Sequence, residues 1–154
     1  MKVEFVNPFI QAATEVLESE LGGESQRGEL RLQKSAVTTD EVTAIVCVTG
    51  TVAGFVLHSM NETTALAILS RTMNQDFREF DALAQSGIGE LGNVITGRAG
   101  VLLSQAGYPS NMTPPAVVVG KGTMVTTLDL SRLVLPLETA LGGLEVQIVL
   151  RAAA

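Results

Sequence analysis

From Asp81 to Gln105 runs the longest helical pattern in the chain, and it contains Gly87, Gly89, Gly92, Gly97 and Gly100. A glycine in a helix interior costs about 1 kcal/mol relative to alanine, because it orders the freest of all backbones. Together these five cost roughly 5 kcal/mol, on the order of the whole net stability of a domain. Such a helix persists only if tertiary packing offsets the loss, so the fold must bring other elements, or a partner, very close to it. At 3.6 residues per turn, Ala84, Ile88, Leu91, Ile95, Ala99 and Leu102 fall on one side and form the expected core face. Ser86, Glu90, Asn93 and Gly97 fall on the opposite side as a polar stripe. Gly89 and Gly100 are expected beside that stripe, and Gly92 toward the core.

The other elements frame this helix. Asn7 reads as an N-cap and Pro8 as the first position of an opening helix, with Glu4 in the lead-in and Gly22 and Gly23 as the stop. Strands are expected near 28–37, 42–49 and 51–58, the last two turning at Gly50. Ser59 and Glu62 have the spacing of a capping box before a second helix, "TTALAILSRTM". After the long helix, "GYPSNMTPP" reads as a loop, followed by strands near 116–120, 132–139 and 144–151, the last two joined through "ALGG". The expectation is an α+β fold in one domain spanning 1–154. Two pseudo-symmetric halves, each a helix plus three strands, would form a sheet covered by long helices. The halves show no residue-level repeat.

Composition narrows the function classes. A net charge of -6, no Trp and one Tyr leave neither the basic patch nor the stacking surface that nucleic-acid binding requires. No apolar run reaches membrane-span length, and the start lacks the pattern of a secretory signal, so a cytoplasmic protein without membrane contact is expected. Cys47 is alone and sits in a strand-like stretch as a buried, inert thiol. His58, the only histidine, sits at a strand end and reads as structural; without a second histidine or a cysteine pair no transition-metal site is expected.

A Glu and an Asn three residues apart are common on a solvated helix face, and Glu4 and Asn7 repeat the spacing. The longer pattern is less common: Ser86, Glu90 and Asn93, then Pro115 after an interval at which Asn7 meets only Glu29. This pattern resembles the signature of the chemotaxis phosphatase family that includes CheC, CheX and relatives of FliM, whose active helix carries an acid and an asparagine with a proline at this distance. The opening "VEFVNPFIQA" and the single acid–asparagine pair look most like the CheX branch.

The resemblance implies a CheC-like fold and a phosphatase acting on a phosphorylated CheY-type response regulator. That regulator would supply its own Mg²⁺, so the chain needs no cofactor, and a homodimer is expected. Asn93 would orient the attacking water, because a carboxamide both donates and accepts hydrogen bonds at neutral pH. Glu90 would pair with the regulator's active-site lysine. Ser86 and Gly97 would contact the partner. Pro115 would shape the strand entry beside the helix, with Pro114 an open alternative for that role. A non-catalytic adaptor that binds a response regulator or a flagellar-switch component is the competing reading, and a glycine helix used only for dimer packing a third.

Overall fold

A computed structural model describes residues 1–34, 36–126 and 130–153. Helix α1 (Val3–Leu21) starts ahead of the Asn7–Pro8 signal, which places Glu4 in its first turn, Asn7 on an exposed mid-helix position and Pro8 inside. An interior proline costs about 3 kcal/mol. Phe5 and Val6 continue the stripe of Phe9, Ile10, Ala13 and Leu17 by one turn, and burying them contributes roughly 2 kcal/mol each. That gain sets the start. Gly22, at φ 70, closes the helix with its N–H on the Glu18 carbonyl.

The expected strand at 28–37 is divided into β1 (Gln26–Arg27), β2 (Arg31–Gln33) and β3 (Ala36–Thr38), with position 35 outside the described residues. Strands β4 (Val42–Gly50) and β5 (Val52–Met60) form the expected hairpin, with Gly50 at φ 109. Helix α2 (Glu62–Thr72) is capped by Asn61, whose side chain accepts from Thr64 N–H at 2.7 Å. The capping box expected from Ser59 does not form. Ser59 lies buried in β5, 2.8 Å from the Thr43 hydroxyl, and accepts from Asp40 N–H. Helix α3 (Ala82–Gln105) matches its expected extent. Strand β6 (Ser110–Met112) lies inside the segment read as a loop, because Ser110 and Thr113 accept N–H groups of Val52 and Cys47 through their hydroxyls. Then come β7 (Ala116–Val119), β8 (Met124–Thr126), which has no counterpart among the expected strands, β9 (Arg132–Thr139) and β10 (Gly142–Ala152).

The large antiparallel sheet runs β1–β9–β10–β5–β4–β6, with β2 also on β9 and β7 on β4. Its centre is the β5–β10 ladder, from Val52↔Ala152 to Met60↔Leu144. The order makes the pseudo-symmetry explicit. Edge strands β1 and β2 of the first half pair with the second half's hairpin, while β6 and β7 pair with the first half's, and β3 pairs β8. One constant shift carries buried Phe5, Phe9, Ile10, Ala12, Ala13, Val16 and Leu17 of α1 onto buried Ala84, Ile88, Gly89, Leu91, Gly92, Ile95 and Thr96 of α3. The same shift places Gln11 and Thr14 at the positions of Glu90 and Asn93, so the first half carries no acid–asparagine pair at the equivalent positions.

Both long helices lie on one face, α1 against β9 and β10 and α3 against β4, β6 and β7, with α2 touching both. The ribbon β3–β8 is tied to the opposite face through buried Arg132, whose guanidinium donates to Gln147 Oε1 at 2.8 Å and to the Val125 carbonyl at 2.5 Å. Among the described residues no helix is long and apolar enough to cross a membrane.

One row of the helix-covered face crosses the sheet through Leu135, Val146, His58, Ala44 and Val117. His58 is buried there with neither ring nitrogen hydrogen-bonded, and burial pushes its pKa down from 6.5 to about 4. The folded chain therefore holds a neutral imidazole while the unfolded chain protonates. Its contribution to stability is complete above pH 6.5 and is lost as the pH falls toward about 4. The loss amounts to roughly 3 kcal/mol. Urea unfolding across that window should show the decline, and a His58→Leu variant should flatten it.

Candidate functional site

Helix α3 begins where Asp81 accepts the Ala84 N–H at 2.9 Å and ends at Ala106, followed by Gly107 at φ 94. Ala84, Ile88, Leu91, Ile95 and Ala99 are buried as expected, but Leu103 replaces half-buried Leu102 at the end of that face. The buried arc is wider than the expected stripe and is centred toward Gly89, Gly92 and Thr96, which leaves Leu102 at its margin.

Ser86, Glu90, Asn93 and Gly97 are all exposed, on one outward ridge. From Glu90, Gly97 is turned by about 20°, Ser86 by about 40° and Asn93 by about 60°, all in the same direction. Among the described residues, the side chains of Ser86, Glu90 and Asn93 make no hydrogen bond or ion pair within the chain. Glu15 is a useful contrast: the Gln11 amide and the Arg98 guanidinium hold its carboxyl below the usual range. Glu90 and Asn93 thus present unused polar capacity. An unpaired carboxylate can receive a cation, and a carboxamide can hold a water between its donor and acceptor.

The glycines separate by what surrounds them. A Cβ on Gly92 would stand 3.2 Å from Ala44 Cβ and 3.8 Å from His58 Nδ1, so Gly92 seats the helix on the sheet. One on Gly87 would meet the Leu69 side chain at 2.5 Å, so Gly87 admits α2. Gly89 is buried, not beside the stripe, and faces Val117 and Pro115 at ordinary contact distance. Gly100 is half-buried near Met112. Gly97 has nothing within 4 Å. Pro115 is half-buried, with Cγ 3.6 Å from the position of a Gly89 Cβ, while Pro114 is exposed. The proline against α3 is therefore Pro115, on the flank where Asn93 lies.

The opposite flank holds what sequence reasoning missed. A groove of about 440 Å³ separates α3 from the C-terminal ends of α1 and α2, lined by Leu83, Gly87, Leu91 and Val94 of α3, by Thr72 and Met73, and by Glu20, with Ser86 and Glu90 at its edge. Three helices build it, so no local pattern announces it. Its available signals were Leu83 and Val94, apolar yet 46% and 41% exposed on the polar side of the helix. Among the described residues no three His, Cys, Asp or Glu side chains are grouped to hold a metal ion.

Residues 42–138 match the family model described as chemotaxis phosphatase CheX. The chain is 30% identical over 122 residues to the CheY-P phosphatase CheX of Thermotoga maritima, covering 79% of each protein. A CheC-like superfamily protein from Shewanella sp. PV-4 superposes with a TM-score of 0.89 at 27% identity, over 99% of this chain and 100% of that one. A chain of the CheX–CheY–BeF3–Mg²⁺ complex from Borrelia burgdorferi superposes with a TM-score of 0.83 at 26% identity, over 97% of this chain and 99% of that one.

The glycine surroundings predict opposite signs for two substitutions. Gly97→Ala enters open space and should stabilise the fold by about 1 kcal/mol. Gly92→Leu must displace β4 and should destabilise it by roughly 3 kcal/mol. Urea midpoints of the two variants against wild type test both.

Proposed function

This chain belongs to the CheX family of chemotaxis phosphatases, and from that premise we propose that it hydrolyses the aspartyl phosphate of a CheY-type response regulator. The observation that carries the proposal is the exposed ridge on α3, where Glu90 and Asn93 stand unpaired beside a glycine that leaves open space. The kinship supports it as well: the Thermotoga maritima relative is a CheY-P phosphatase, and the Borrelia burgdorferi relative belongs to a complex with CheY, BeF3 and Mg²⁺.

In the proposed reaction the ridge docks against the phosphorylated site of the regulator, which holds its own Mg²⁺. Glu90 pairs with an active-site lysine and sets the register of α3. The Asn93 carboxamide holds one water in line with the phosphorus–oxygen bond of the acyl phosphate. Water attacks phosphorus, the bond to the aspartyl oxygen breaks, and phosphate and a free carboxylate leave. Positioning and charge account for most of such a rate gain, since phosphoryl transfer asks little covalent chemistry of the protein. Glu90 is not needed as a base because the loose transition state deprotonates the water late. Ser86 and Gly97 lie on the same ridge and complete the contact surface.

Phosphate release from a phosphorylated CheY-type regulator decides the matter. Asn93→Ala should lower kcat by about 100-fold or more while binding survives, since the water loses its position. Glu90→Ala should weaken binding and catalysis together, by roughly 30-fold in kcat/KM, as expected when one partner of a docked charge pair is removed. Wild-type rates in both variants would overturn these roles. Binding without accelerated release by wild type would establish the adaptor instead.

A further inference from the structure

The groove on the α1–α2 flank of α3 carries a charge that the proposed chemistry does not use. Three acids occupy the second half of α1. Glu15 is paired with Arg98 at 2.9 Å, and Glu18 accepts both the N–H and the hydroxyl of Ser25. Glu20 is exposed and, among the described residues, makes no ion pair or side-chain hydrogen bond. It stands in the last turn of α1, which holds no basic residue, where the negative end of the helix dipole disfavours a carboxylate. Arg71 of α2 stands against Gly22, not in the groove.

Glu20 and Val94 also line a second hollow, of about 320 Å³, which Arg98 and Glu15 border. The two hollows share Glu20 and Val94, and Arg98 lines the second one alone. The first is a channel beside α3 whose walls are apolar at Met73, Leu83, Leu91 and Val94 and whose charged lining is Glu20 and Glu90, with no cation among the described residues. Apolar walls beside an unpaired acid match a long basic side chain, whose methylenes pack while its head group finds a carboxylate.

We propose that this channel receives a lysine or arginine side chain of the response regulator, distinct from the lysine assigned to Glu90, with Glu20 as its counter-charge. The inference rests on the regulator being the partner. It makes Glu20 a specificity-determining residue: regulators lacking a basic side chain at the facing position bind poorly, whatever their phosphorylated site looks like.

The test measures KM and kcat for a CheY-type regulator phosphorylated with acetyl phosphate, and Kd for its beryllofluoride-activated form. Wild type, Glu20→Gln, Glu20→Lys and Glu4→Gln are compared at low and moderate salt. Glu20→Gln should raise KM and Kd by about 10-fold, Glu20→Lys by more, with the effect shrinking as salt rises. Glu4, at the far end of α1, controls for net charge, and its variant should change KM less than about 2-fold. Glu20→Gln relieves the clash with the helix dipole, so it should unfold no earlier than wild type. An unchanged KM in Glu20→Gln, or an equal rise in Glu4→Gln, overturns the groove and leaves the phosphatase reading standing. Glu20-dependent binding without phosphate release by wild type keeps the groove and overturns the phosphatase. Absence of both binding and release overturns both.

Discussion

The ladder between β5 and β10 is the constraint on which everything else in this molecule depends. Its register brings Val146 opposite His58, and the neighbouring ladders extend that row to Leu135 on one side and to Ala44 and Val117 on the other. Its His58, Ala44 and Val117 end is the floor on which α3 sits, and α1 covers the strands of the other end. A slip of one residue would turn His58 to the far face and Leu57 inward, and Gly92 would lose the shallow seat formed by Ala44. The ladder is itself made possible by a glycine: Gly54, at φ 150, lies so close to the Val149 carbonyl that no side chain could be placed there.

The glycines of α3 therefore answer two needs. Gly87 and Gly92 let α2 and the sheet approach, and the packing of Leu69 and Ala44 against them offsets part of what they cost. Gly97 receives no such return from within the chain. It leaves a shallow place on the outer ridge, one turn from Asn93, with nothing of the chain within 4 Å of where a side chain would begin. The helix is thus thinned on both sides, and its own fold fills only the inner one.

Much of this was legible in the amino-acid order. The long helix, the β4–β5 and β9–β10 hairpins and the outward placement of Ser86, Glu90, Asn93 and Gly97 follow from 3.6-residue and two-residue periodicities, which burial enforces directly. The family signature, Ser86 to Pro115, pointed to the same kin as the comparisons. The misses share a cause. Asn7–Pro8 and Ser59–Glu62 are good local capping signals that lost to burial, of Phe5 and Val6 in one case and of Ser59 within a sheet in the other. Strands β6 and β8 are too short to show a period, and they exist because partners from distant sequence complete them. The groove at Glu20 was out of reach for the same reason: it belongs to three helices and to none of them singly.

The exchange of edge strands between the halves has a consequence for how the chain comes to be folded. Strands β1 and β2 are made early, yet their partner β9 is made near the end, and β5 waits for β10. The first half therefore leaves the ribosome with an open hairpin and unpaired edges that only the last strands can close. Most of its pairing spans long stretches of chain, so closure entropy must be met before the contacts reward it, and folding belongs to the slow, non-local regime. Neither half completes the edges of its sheet with its own strands. The final pairing lays β10 against β5, brings Ala153 N–H onto the Thr51 carbonyl and completes the part of the sheet that α1 covers.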